Sequence, residues 1–212
     1  MIKCFIFDQD GTLYSNKSEL IAAIKERTNS WLMYKLNKPK EDGNIYYTLK
    51  QKNPNIIEGI ISIGYTVEEY HREVFDKIDP KKYLKRDEEL IKILNGLNSQ
   101  IYTVTFGSYK YSKELQLALG ISHFIKKTYC VEDDTVNYSK KFFYELIAKE
   151  EGLKFSEICV VGDNYYIDIA PAIELGCVSI HISDKEVAGP NFTIQNIYEL
   201  PKVLDILNTD YK

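Results

Sequence analysis

The chain has 212 residues, of which 44% are hydrophobic and 27% charged, and its formal net charge is −4. That supplies one sizeable core and a small second lobe, while the acidic balance excludes a basic surface for a nucleic-acid polymer. The apolar run at 2–7 is too short for a signal or membrane segment, and no stretch approaches membrane-spanning length, which predicts a soluble, cytoplasmic protein. Cys4, Cys130, Cys159 and Cys177 are scattered with no CxxC pair. They read as buried free thiols of a reducing compartment, not as disulfides or a zinc site.

In chain order, the first element is a strand over 2–7 that runs into Asp8-Gln9-Asp10-Gly11. Two carboxylates at the carboxyl edge of a buried strand are costly unless a hard cation such as Mg²⁺ holds them through oxygen. Gly11 lets the chain turn there and lets backbone approach a ligand. A helical pattern follows over 19–36, with Leu20, Ile21, Ile24, Trp31, Leu32 and Leu36 on one face, then a polar turn over 37–43. A second helical segment covers 66–78, with Thr66 as its N-cap. Residues 15–86 carry no convincing strand, so they read as a helical insertion behind the first strand.

Beyond the insertion, helical patterns at 89–97, 111–119, 142–151, 168–175 and 197–207 alternate with apolar strands at 101–105, 158–162 and 178–182. Three of the helices run into Gly120, Gly152 and Gly176. Near-continuous apolar strands between helices predict a doubly wound parallel α/β sheet, whose ligands bind at the carboxyl ends of the strands. The strand at 101–105 ends in Thr105-Phe106-Gly107, where a hydroxyl and free N–H groups suit phosphate oxygens. The strand at 158–162 ends in Asp163, with Asp168 at the start of the next helix, where it serves either the site or as a helix cap. If the strands lie side by side, Asp163 faces Asp8 and Asp10 across one crevice. His71, His123 and His181 do not cluster and read as structural. Trp31, Tyr46, Tyr47, Tyr65 and Tyr70 read as packing of the insertion.

Phe7-Asp8-Gln9-Asp10-Gly11-Thr12, Thr105 and Gly162-Asp163-x4-Asp168 resemble three of the four motifs of the haloacid dehalogenase superfamily, in the right order and over nearly the whole chain. The resemblance implies a Rossmann-like core over 1–14 and 87–212 and a helical C1-type cap over 15–86. It implies a Mg²⁺-dependent phosphatase acting on a small phosphorylated metabolite, a nucleotide or sugar phosphate. Asp8 is then the nucleophile and Asp10 the general acid and base. Asp8, Asp163 and the backbone carbonyl of Asp10 hold the metal, with Asp168 supporting it. Thr105 and the N–H of Phe106 bind the phosphoryl group. An acid at position 10 favours phosphoryl transfer over dehalogenation. Asp-Gly-Thr-Leu-Tyr and the segment over 46–84 look most similar to pyrimidine 5′-nucleotidase-like members.

The fourth motif departs from the pattern. Its lysine, counted back from Gly152-Leu153, falls on Asn137 or Tyr138, and the nearest lysines are Lys140 and Lys141. Of these, Lys141 is the expected phosphate-side lysine, although both read equally as ordinary exposed lysines. A phosphomutase, which shares the same acids and cap type, stays open as a second reading, and the departure leaves open a third, a catalytically poor binding module for a phosphometabolite.

Overall fold

The computed structural model describes residues 1–39, 44–131 and 139–209. Six parallel strands form one sheet in the order β3-β2-β1-β4-β5-β6: β1 (Cys4–Phe7), β2 (Gln100–Thr105), β3 (Ile125–Cys130), β4 (Ile158–Gly162), β5 (Val178–Ile182) and β6 (Phe192–Ile194). β1 and β4 are buried along their whole length, which is why they read as unbroken apolar runs. The result is the doubly wound Rossmann-like fold that the alternation predicts.

The chain steps outward from β1 to β2 and β3, then returns to place β4 on the other side of β1. The reversal opens a crevice at the carboxyl ends of β1 and β4. Phe7 pairs with Val161, and the Asp8 N–H donates to the Val161 carbonyl at 2.9 Å. The two acid-bearing strand ends therefore emerge together.

Two strands escape the sequence pattern. β3 interrupts its apolar residues with the exposed pair Lys126 and Lys127, and β6 has three residues. Both lie on the flanks of the sheet, where one face meets solvent and the hydrophobic signal is weak.

Among the described residues between β1 and β2, all the regular structure is helical. α1 (Glu19–Lys35), α2 (Ile45–Lys52), α3 (Ile56–Ser62) and α4 (Val67–Glu73) are followed by 3₁₀ turns at Phe75–Lys77 and Pro80–Lys82. Thr66 caps α4 as expected, its hydroxyl accepting from the Glu69 N–H at 3.1 Å. The helix expected over 66–78 breaks at Val74. α2 and α3 went unpredicted because β-branched and aromatic residues fill them, and Gly59 interrupts the second. Their caps, Asn44 and Asn55, each accept from the third helical N–H. Within the expected turn at 37–43, Asn37 takes a left-handed backbone, and residues 40–43 lie outside the described residues. Trp31 packs at 5.3 Å from Tyr65 and 5.6 Å from Tyr70 between ring centroids, as expected of core.

α5 (Glu88–Asn95), α6 (Tyr109–Leu119), α7 (Lys140–Glu151), α8 (Ala170–Leu175) and α9 (Leu200–Thr209) complete the described elements. α6, α7 and α8 end in left-handed Gly120, Gly152 and Gly176, as their sequence signals predict. The helix expected over 168–175 instead starts as a π-helical turn, Tyr165–Ile169, capped by Asn164. Asp168 is therefore not the N-cap itself, although its carboxylate accepts from the N–H of the capping Asn164. No described helix is long and apolar enough to cross a membrane.

Candidate active site

Asp8 and Asp10 follow β1, Asp163 follows β4, and Asp168 lies in the π-helical turn. One carboxylate oxygen from each of Asp8, Asp163 and Asp168 lies within 4.8 Å of the others. Asp8 and Asp168 are buried, which makes the cluster a site of concentrated negative charge. One side chain answers it directly. Lys140, 2% exposed, places its Nζ 2.5 Å from Asp8 Oδ1 and 2.7 Å from Asp168 Oδ1.

The expectation at Lys141 is corrected here. Lys141 is solvent-exposed at its tip and pairs with Glu174 at 2.9 Å, away from the cluster. Both lysines sit in the first turn of α7 behind the Ser139 cap. Successive helical residues differ by about 100° in direction, so neighbouring lysines cannot both face the crevice. Asn137 and Tyr138 lie outside the described residues.

Asp8 Oδ2 accepts from the Thr12 hydroxyl at 3.1 Å, so its two oxygens are held from opposite sides. Both oxygens of Asp168 are engaged: Oδ1 accepts from Lys140 and Oδ2 from the Asn164 N–H at 2.9 Å. Asp163 is seated through its backbone, whose carbonyl accepts from His181 Nε2 at 3.2 Å. Gly11 makes the approach of the two strand ends possible. Its φ is +95°, and a Cβ there would lie 2.4 Å from Asp163 Oδ2. Gly11→Ala is therefore expected to push Asp163 aside and raise the divalent-cation concentration needed for half-maximal activity about 10- to 100-fold. A cation titration checks this, and an unchanged midpoint would show that Asp163 lies outside the metal site.

Asp10 stands apart from the cluster. Its Oδ1 accepts from Tyr14 at 2.5 Å and from Tyr111 at 2.8 Å, and both tyrosines are buried. Burial pushes Asp10 up to about 6, against the Tyr14 hydrogen bond and with Asp8 adding to the rise. Its side chain can thus carry a proton near neutrality. Tyr14 and Tyr111 were not foreseen. Tyr14 is adjacent in sequence to the first motif, but Tyr111 reaches Asp10 only through folding.

Thr105 and Phe106 line the same cavity as the acids and Lys140, a space of about 470 Å³. The Thr105 hydroxyl accepts from the Gly107 N–H at 3.0 Å, which curls the loop after β2. The Phe106 ring lies 5.5 Å from Lys140 Nζ. The inserted helices grip this loop. His71 Nε2 donates to the Phe106 carbonyl at 2.9 Å, and the Ser108 hydroxyl donates to Asp76 at 2.5 Å. The other wall comes from the insertion and includes Lys25, Tyr46, Lys50 and Tyr70. Crowding around the Lys50 ammonium lowers its pKa, Lys25 repels it further, and Asp163 acts in the opposite sense. Behind the loop, buried Gln9 donates to Ser112 and accepts from Gln116, both at 2.8 Å, tying the turn after β1 to α6.

The donor set fits a divalent cation. Burial, then repulsion from Asp8 and Asp168, pushes Asp163 up to about 8. Burial likewise raises Asp8 to about 6 against the pull of Lys140, with Asp168 adding. Burial works against the Lys140 charge, but Asp168 and Asp8 outweigh it and hold the lysine protonated. Both carboxyls thus bind protons in the metal-free fold that the unfolded chain has already shed, so metal-free stability falls as pH rises from about 4 to about 8. A cation bound among these acids would take the place of those protons. The melting-temperature gap between Mg²⁺ and EDTA is expected to be small at pH 5.5 and to widen by pH 8. A gap that narrowed with pH would contradict the cluster as the binding site.

Three comparisons place the chain among known proteins. The model of the haloacid dehalogenase-like hydrolase family matches residues 2–176. A glyceraldehyde 3-phosphate phosphatase of Methanocaldococcus jannaschii is 27% identical over 98% of this chain and 97% of its own. Among solved structures, the haloacid dehalogenase-like protein SP0104 of Streptococcus pneumoniae superposes with a TM-score of 0.70 at 16% identity, over 96% of this chain and 98% of its own. The Bacillus subtilis HAD-hydrolase YfnB, solved with magnesium bound, gives 0.64 at 17% identity, over 96% and 99%. With the family model spanning the first strand, the insertion and the acids after β4, the chain belongs to the haloacid dehalogenase-like hydrolases.

Proposed function

We propose that the chain is a Mg²⁺-dependent phosphatase that hydrolyses a small phosphomonoester through an aspartyl-phosphate on Asp8, with residues 15–86 acting as the cap over the site. The observation that carries this reading is the buried Lys140 between Asp8 and Asp168, beside Asp163. Its cationic head offsets the charge of the nucleophile. The similarity to a curated phosphatase over nearly the full length of both chains supports it.

Magnesium held by Asp8, Asp163 and the Asp10 carbonyl would neutralise phosphate charge and align the group for in-line attack. The Asp8 carboxylate forms the bond to phosphorus while Asp10, carrying a proton, gives it to the departing ester oxygen. Asp10 then takes a proton from water as the water attacks the aspartyl-phosphate. Tyr14 and Tyr111 hold the Asp10 carboxyl in place through both steps. Thr105, the N–H of Phe106 and Lys140 stabilise the transferring phosphoryl group. Asp168, with both oxygens engaged, anchors Lys140. A binding module rested on the absence of a lysine at the acids, and Lys140 removes that ground.

Inorganic phosphate release from a panel of triose, sugar and nucleotide monophosphates, with Mg²⁺ and with EDTA, tests the reading. Release is expected only with Mg²⁺ and without isomer formation. Rapid isomerisation would favour a mutase, and tight binding without turnover a sensor.

A further inference from the structure

The cavity is electrically two-sided. Its floor carries Asp8, Asp10, Asp163 and Asp168 with Lys140 as their counter-ion, while the charged groups that the insertion contributes to its wall are Lys25 of α1 and Lys50 of α2. Among the described residues neither lysine has an ion-pair partner, whereas Lys17, Lys35, Lys77 and Lys81 each pair with a carboxylate. The two ammonium groups repel each other yet face the same space.

In the metal-free protein the floor acids attract them. That attraction fades once a divalent ion sits among Asp8 and Asp163, because the ion cancels the acids' charge and itself repels both lysines. Two unpaired cations walling a partly enclosed space then call for an anion. The scissile phosphate does not supply it, since that group is already met by the cation, Lys140, Thr105 and the Phe106 N–H. A second anion on the same substrate does, at the end remote from the ester.

We propose that Lys25 and Lys50 bind a second anionic group of the substrate, so that the preferred phosphomonoester carries a carboxylate or a second phosphate at its far end. The inference rests on the phosphatase reading and narrows its substrate class. A space of about 470 Å³ holds a three- to six-carbon acid of this kind. The Methanocaldococcus relative is named for glyceraldehyde 3-phosphate, whose far end is a neutral aldehyde. Lys25 and Lys50 would instead favour a charged far end in this chain.

Steady-state kinetics with Mg²⁺ on substrates that share one carbon skeleton tests it. Glyceraldehyde 3-phosphate, 3-phosphoglycerate and glycerol 1,3-bisphosphate differ in whether the far end is neutral, a carboxylate or a phosphate. The wild type is expected to favour a charged ester, and the one it favours distinguishes carboxylate from phosphate. Lys25→Ala and Lys50→Ala are each expected to lower the ratio of kcat/KM for that ester over the aldehyde roughly tenfold, mainly through KM. Lys50→Arg restores most of the ratio. Equal losses on charged and neutral esters would assign the lysines to the transferring phosphoryl group and overturn the proposal. Release from other panel esters with none of the acid preference would overturn it while leaving the phosphatase reading intact. No release from any ester would sink both.

Discussion

Asp8→Asn is expected to abolish phosphate release, lowering turnover roughly 10⁴-fold or more while the protein stays folded. The amide is nearly isosteric and its oxygen still accepts from Thr12, but it is a poor nucleophile toward phosphorus. Stability should change little, because two effects oppose each other. The substitution removes one charge from a crowded group of carboxylates and also one of the two partners of Lys140. Circular dichroism and thermal melts establish that the variant folds, and single-turnover phosphate release measures the loss. A folded Asn variant with a tenth of wild-type turnover or more would exclude the aspartyl-phosphate route.

Lys140→Met carries the second large effect, and it acts on folding as well as on turnover. Removing the cation leaves Asp8 and Asp168 buried against each other with Asp163 close by. Losing one partner of a buried ion pair typically costs about 3–5 kcal/mol. At roughly 2–4 °C per kcal/mol for a chain of this size, the melting point should fall by about 6–20 °C. Saturating Mg²⁺ is expected to recover part of that loss, because the ion answers the same charges. Turnover should fall about 10²- to 10³-fold even in Mg²⁺, since a phosphoryl-side cation is gone. Lys141→Met is the matched control. Its pair with Glu174 is exposed and screened by solvent, so melting point and turnover should hardly move. Equal behaviour of the two variants would contradict the placement of Lys140.

His71, read from sequence as structural, has a more particular place. It joins the insertion to the loop that carries Thr105 and Phe106. With the Ser108–Asp76 bond and the Phe75–Tyr111 ring contact at 5.0 Å, the inserted helices and the loop after β2 form one connected unit. Tyr111 belongs to that unit and also holds Asp10. The proposed acid and base is therefore positioned partly by the element that the insertion packs against.

The strands bearing Asp8, Thr105 and Asp163, and the parallel α/β class, were legible in the sequence because a fully buried strand writes a continuous apolar run and its end is marked where the carboxylates begin. Helix ends at Gly120, Gly152 and Gly176 were legible for a similarly local reason, since a left-handed backbone selects glycine. β3 and β6 were hidden because strands at the margins of a sheet carry mixed polarity, and α2 and α3 because tertiary packing overrides the strand-like character of their isoleucines and tyrosines. The choice between Lys140 and Lys141 depends on the phase of one helix relative to a crevice built from β1 and β4. The partners Tyr14 and Tyr111, and the pairing of Lys25 with Lys50 across one wall, depend on how separate segments meet. Local sequence determined which residues carry chemistry at strand ends; only the tertiary structure decided which of them face one another, because charge, burial and reach at the site are properties of neighbours distant along the chain.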